Sequence, residues 1–192
     1  IGLDFGCGHA HLIQLMASRM RLVFGFDSGP NQIGIAENNT SGMPNVIIRR
    51  LSAPPPSFHV PRFDLIFVNS VVELMNDDEL DRWLQWWTGS LSGRGALVIS
   101  DVMPQKNDRL RSFIESLSWG FRQGCLLGYC YEYFLMMKAG FFREQAFCRD
   151  SDELLLRISR SGGRGRLLRR NLDFLTTRYA VMAVKDSRSP VP

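Results

Sequence analysis

The sequence predicts an α/β fold, a Rossmann-like doubly wound sheet of seven strands that is mostly parallel with an antiparallel last strand. Three observations carry this prediction. Short apolar runs alternate with longer amphipathic ones along most of the 192 residues, and strands alternating with helices give a parallel sheet covered on both faces. A glycine pair, Gly6 and Gly8, follows directly on the first apolar run. Near the far end, two strand-like segments at 165–174 and 176–185 are joined by too few residues for a parallel crossover, so they pair antiparallel or lie apart.

Each element has its own signal. IGLDF (1–5) reads as strand one. HAHLIQLMASRM (9–20) reads as a helix with Leu12, Leu15, Met16 and Met20 on one face. RLVFGFD (21–27) is strand two, and GPNQIGIAENN (29–39) is a helix with Pro30 in its first turn. NVIIRRL (45–51) is strand three. The prolines of SAPPPSFHVP (52–61) forbid a helix and predict a loop. FDLIFVNS (63–70) is strand four. Residues 76–91 read as a helix capped by Asn76, with Asp77, Asp78 and Glu79 at the positive end of its dipole. GRGALVISDVMP (93–104) runs from a glycine turn into strand five. Residues 108–140 have a helical apolar pattern, broken near Gly124 or Gly128. SDELLLRISRSGG (151–163) is a capped helix ending at paired glycines. No internal repeat is present.

Composition bounds the function. Hydrophobic residues are 45% and charged residues 22% of the chain, as in an ordinary single globular domain with a real core. The net charge of +4 is only mildly basic, which does not by itself argue for nucleic acid. Arg157, Arg160, Arg164, Arg166, Arg169 and Arg170 cluster without interleaved aromatics, so they read as a solvated face rather than an RNA platform. Cys7, Cys125, Cys130 and Cys148 show no metal-ligand spacing; they predict free thiols, a reducing and hence cytoplasmic location, and no zinc. No run reaches the roughly 20 apolar residues of a membrane span. Residue 1 is Ile, inside an apolar strand, which predicts a chain cut at its first core strand and lacking its natural N-terminus.

Ligands of open α/β sheets bind beyond the carboxyl ends of the strands, at the switch point. That rule selects Asp4 to Gly8, Asp27 and Ser28, Ser52 and Ala53, and Asn69 and Ser70. Gly6 and Gly8 let the backbone turn tightly and approach a ligand. Asp27 follows them by about 20 positions, where a carboxylate can accept both hydroxyls of a ribose. A dinucleotide fingerprint wants glycine at position 11, where the chain has His11. The G-K-[ST] of a nucleoside-triphosphate loop is absent.

Together, LDFGCGHAHL, GFDSGP, FDLIFVNSVVELMNDDELDRWL and GRGALVISDVMP resemble the class I S-adenosylmethionine-dependent methyltransferases. The resemblance covers nearly the whole chain and implies an antiparallel seventh strand. It also implies that residues 1–186 form the methyltransferase domain, with a helical cover insert over about 105–150 and a tail at 187–192. By resemblance, Gly6, Cys7 and Gly8 form the turn beneath the methionine part of S-adenosylmethionine. Asp4 holds that loop near the cofactor amine, Asp27 binds the ribose, and Ser28 lies beside the adenine. Asn69 and Ser70 border the methionine and the acceptor entrance. Two positions depart from the family pattern. Ala10 replaces a frequent third glycine, and Ser52, followed by Ala53, stands where an acid often reads the adenine amino group.

The family chemistry needs a nucleophile held in line with the methyl group in a dry pocket, and a base only where the nucleophile must lose a proton. No catalytic residue stands out. Glu73 reads first as a buried or helix-capping acid and second as a base. The cover is rich in aromatics and methionine, including Trp119, Phe121, Tyr131, Tyr133, Met136 and Met137. It predicts either a lid for a small apolar molecule, with contact to a lipid surface left open, or plain core packing. The N-P-P-Y type sequence of DNA adenine methyltransferases is absent, which argues against nucleobases. The expectation is methyl transfer to a small apolar or lipid-like molecule. The alternatives are a degenerate domain with a binding role and a nicotinamide-dependent oxidoreductase.

Overall fold

A computed structural model describes residues 1–51, 59–104, 109–124, 147–169, 172 and 177–186. The elements run β1 (Gly2–Phe5), α1 (His11–Ala17), β2 (Val23–Asp27), α2 (Pro30–Thr40), β3 (Val46–Arg50), β4 (Phe63–Asn69), a 3-10 turn (Val72–Leu74), α3 (Asp77–Ser90), β5 (Leu91–Val102), α4 (Arg109–Arg122), α5 (Ser151–Arg160), β6 (Gly163–Leu167) and β7 (Tyr179–Lys185).

These form a seven-stranded sheet in the order β3-β2-β1-β4-β5-β7-β6. The strands β1 to β5 pair in parallel, and β7 runs antiparallel to both β5 and β6. The order reverses at β1, whose neighbours are β2 and β4. The ligand crevice of such a sheet opens there, above the carboxyl ends.

One apolar layer lies under α1 and α2, where Cys7, Ala10, Ile13, Met16, Val23, Ala36 and Ile48 cluster. The larger layer lies on the other face and joins Leu3, Phe5, Phe26, Phe63 and Ile66 to Leu80, Trp83, Leu84 and Trp87 of α3 and Leu154 and Ile158 of α5. β1 is buried along its whole length, as a central parallel strand must be.

The helix α3 forms as its sequence predicts. The Asn76 side chain accepts the Glu79 N–H at 2.9 Å, and three acids occupy the first turn. Elsewhere the boundaries shift. Leu15, which periodicity places on the buried face of α1, is exposed, while Ile13 and Met16 are buried. The helix is shorter than 9–20; Leu12 and Ala17 on it and Met20 after it are partly buried and pack against the same cluster as Ile13 and Met16. Strand five begins at Leu91 rather than after the glycines; Gly95 lies so close to the Phe63 carbonyl that a side chain there would collide with it.

At the far end α5 stops at Arg160, Gly162 turns with φ 84°, and Gly163 already belongs to β6. The terminal strands are 163–167 and 179–185 rather than 165–174 and 176–185, and they pair antiparallel. A helix after β5 is present, and Gly124 follows it with φ 71°, at one of the two predicted breaks. Residues 105–108 and 125–146 of the proposed cover and the tail (187–192) lie outside the described residues. Among the described residues no helix is long and apolar enough to cross a membrane.

Candidate active site

The glycine turn is held from β2. The N–H groups of Gly6 and Cys7 both donate to the Phe26 carbonyl, at 2.7 and 3.0 Å. Gly6, Gly8 and Ala10 all have positive φ, of 77°, 50° and 66°. A side chain at Gly6 would run into Val71 Cγ2, whereas Gly8 faces open space. The turn thus passes close to the segment after β4, and only a residue without Cβ fits at Gly6.

Asp27 ties the ends of β1 and β2 together. Its Oδ2 accepts the Gly8 N–H at 2.9 Å and its Oδ1 accepts the Gly29 N–H at 2.8 Å. Each carboxylate oxygen has two lone-pair directions, so each keeps one for a ligand. The Leu51 N–H donates to the Asp27 carbonyl and Arg50 Nε donates to the Ser28 carbonyl, which brings the end of β3 alongside.

Between these ends lies a cavity of about 270 Å³ lined by Phe5, Gly6, Phe26, Asp27, Ser28, Leu51, Ser70, Val71, Leu74, Met75, Glu79 and Trp83. Its size is just below the roughly 300–1,000 Å³ usual for small-molecule sites. One part is apolar and aromatic; Phe5 meets Trp83 edge-on, with ring centroids 4.6 Å apart. The other part offers the Asp27 carboxylate and bare backbone.

A polar ladder closes the ends of β4 and β5. Ser100 Oγ donates to Asn69 Oδ1, Asn69 Nδ2 donates to Ser70 Oγ at 3.1 Å, and Ser70 Oγ donates to Asp101 Oδ2 at 2.6 Å. Ser70 and Asp101 both carry positive φ, 53° and 59°, strain that this ladder holds in place.

A methyltransferase domain family model matches residues 3–95, the stretch that holds the glycine turn, Asp27 and the β4 end. These residues are thus similar to a methyltransferase domain. Solved structures agree with the fold. A protein from Rickettsia typhi, PKMT2, superposes with a TM-score of 0.68 at 13% identity, covering 98% of this chain and 49% of that one. The YcgJ protein from Bacillus subtilis gives 0.65 at 12% identity, covering 97% and 92%. Magnesium protoporphyrin IX methyltransferase from Synechocystis PCC 6803, solved with bound SAH, gives 0.65 at 14% identity, covering 97% and 74%. The chain spans about half the length of the Rickettsia protein. No curated protein sequence matches it.

The sheet brings Gly6, Asp27, Ser28 and Ser70 to the cavity. Asn69 lies one bond away, through Ser70. Asp4 is buried in β1 beneath the turn; burial, and then the charge of Asp27, push its carboxyl up to about 7. The Cys7 side chain packs with Ile13 and Ile48 in the core rather than at the cavity; burial and the two acids push its thiol up to about 12, so it carries no thiolate chemistry at neutral pH. Ser52 and Ala53 lie outside the described residues. Sequence reasoning missed Trp83, Met75 and Leu51 as cavity residues. Their apolar spacing signals core, and nothing local separates a core face from a cavity wall.

Proposed function

We propose that this domain binds S-adenosylmethionine in the cavity at the β1/β2/β4 ends and transfers its methyl group to a small, apolar acceptor by in-line displacement. The cavity carries this reading: an aromatic slot meets a carboxylate with two spare lone pairs beside a glycine turn stripped of side chains. That combination fits a nucleoside joined to a polar tail. The Asp27 oxygens take the ribose hydroxyls, and Ser28 and Leu51 flank the adenine with Phe26 and Trp83. Ser52 and Ala53 border the adenine in the same reading. Gly6, Cys7 and Gly8 pass beneath the methionine part through their backbone. Asp4 faces the amine from below, and Asn69 and Ser70 border the acceptor entrance. The domain runs over residues 1–186, with its cover over about 105–150.

The bound cofactor supplies an electrophilic methyl on a sulfonium. The residues named here orient it and exclude water from it. Calorimetric titration with S-adenosylhomocysteine tests the reading. Saturable one-to-one binding, weakened by at least tenfold in Asp27→Ala, is expected. No binding by the parent chain overturns it and leaves a domain with a binding or structural role.

A further inference from the structure

The three acids in the first turn of α3 have different surroundings. Asp77 pairs with Arg149 and Arg157. Asp78 is exposed and is not part of the cavity lining. Glu79 is half-buried and lines the cavity. Its backbone N–H donates to Asn76, but among the described residues no donor reaches its carboxylate. Glu79 shares a face of α3 with Trp83, one turn on, and with Trp86, two turns on. That stripe walls the aromatic slot. Trp83 meets Phe5 with ring centroids 4.6 Å apart, and Trp86 meets Phe26 at 6.3 Å. Because α3 starts soon after the β4 end, its first turn stands at the carboxyl ends of the strands. Glu79 therefore sits at the mouth of the slot, one turn above Trp83.

The other polar side chains of the lining have their own tasks. Asp27 holds the Gly8 and Gly29 N–H groups and turns its spare lone pairs to the ribose. Ser70 accepts from Asn69 and donates to Asp101. Ser28 adds one hydroxyl beside Asp27, and β3 contributes Leu51, whose side chain forms no hydrogen bond. Among the described residues no Lys, Arg or His lines the cavity, so no cation there neutralises Glu79. A half-buried carboxylate on the wall of an aromatic slot is best satisfied by an N–H donor on the flat group that fills the slot.

We propose that the Glu79 carboxylate accepts the exocyclic amino group of the adenine and makes the site select a 6-aminopurine. This rests on the S-adenosylmethionine reading above and adds to it a specificity residue carried by α3. The amino group is the one N–H donor of an adenine joined to ribose. A carbonyl or a bare ring edge facing the same carboxylate leaves Glu79 with nothing to accept. A site built around a ligand N–H rejects the analogue that lacks it far more strongly than an apolar slot rejects a small change of size.

The test is calorimetric titration of the full chain with S-adenosylhomocysteine and with its 6-deamino analogue, which carries purine in place of adenine. The parent binds S-adenosylhomocysteine about tenfold or more tighter than the analogue, the scale of one hydrogen bond to a charged group. Glu79→Met removes the acceptor at similar length and binds the two ligands equally, holding the analogue as tightly as the parent does. Glu79→Gln keeps a neutral carbonyl acceptor, and its preference falls between the two. A parent that binds both ligands alike overturns the proposal and leaves the cofactor reading intact. So does a Glu79→Met variant with the parental ratio, whether its two affinities hold or fall together. Failure of the parent to bind either ligand overturns both readings.

Discussion

The carboxylate of Asp27 accepts the backbone N–H of Gly8 at 2.9 Å, across the gap between the ends of β2 and β1. Its other oxygen accepts the Gly29 N–H at 2.8 Å. Asp27 therefore shapes the glycine turn before any ligand arrives. Asp27→Asn turns an NH₂ toward one of these N–H donors, and losing a bond to a charged acceptor costs about 1.5–3 kcal/mol. Urea unfolding should show a loss of that size, alongside the weaker binding of S-adenosylhomocysteine. A variant with parent stability and parent affinity would remove Asp27 from both roles.

Gly6 and Gly8 separate two effects. Gly6→Ala places a Cβ against Val71 at φ 77°, while Gly8→Ala meets only its φ of 50°. Left-handed backbone costs a non-glycine residue about 1–2 kcal/mol. Gly8→Ala should lose about that much. Gly6→Ala should lose more, and lose affinity too, because Val71 is a cavity wall. Denaturant midpoints and calorimetry on the two variants decide it; equal losses would show that Val71 yields freely.

Asp4 and Glu73 give the chain an unusual pH dependence. Both carboxyls are raised to about 7 in the fold, chiefly by burial, from 3.8 and 4.5. A raised folded pKa gives stability that is fully present below the unfolded value and lost as pH rises through about 7. Asp4→Asn and Glu73→Gln should each gain stability relative to the parent at pH 8 compared with pH 4, by an amount on the order of a few kcal/mol. Thermal unfolding at the two pH values checks the sign. A relative gain at pH 4 would contradict it.

If Asp4 faces the cofactor amine, a cation settles above a carboxyl that is largely protonated at pH 6. Binding then favours its ionised form and releases a proton. Calorimetry of S-adenosylhomocysteine at pH 6, in buffers of different ionisation enthalpy, should reveal proton release. Asp4→Asn should abolish it. Release that persists in the variant would assign the proton to another group.

Arg149 clasps the site from behind. Its guanidinium pairs with Asp77 and donates to the Met75 carbonyl, and its own carbonyl accepts the Tyr179 hydroxyl at 3.1 Å. It is 4% exposed, whereas the Asp77 side chain is 57% exposed. Arg149→Met keeps much of the packing and leaves no buried charge behind, so it should cost the charged hydrogen bonds alone, about 1.5–3 kcal/mol. A loss below about 0.5 kcal/mol in urea unfolding would show that the clasp adds nothing.

What the sequence alone determined was local. Alternating apolar runs, Asn76 at a helix start and the Gly6–Gly8 turn each act within a few residues, so their physics is written in the order of the chain. The spacing of Asp27 from that turn was equally legible, because one helix and one strand span it. Tertiary structure decided the rest. The antiparallel strand β7 enters between β5 and β6, a choice made by long-range pairing that no local pattern records. Leu15 looks like core and is exposed, because α1 turns the face bearing Ile13 and Met16 to the sheet. Trp83 looks like core and also walls a cavity. Asp27 and Glu79 come from separate segments and acquire meaning only when the fold sets both on one cavity, since a carboxyl's chemistry is set by what surrounds it rather than by its neighbours in the chain.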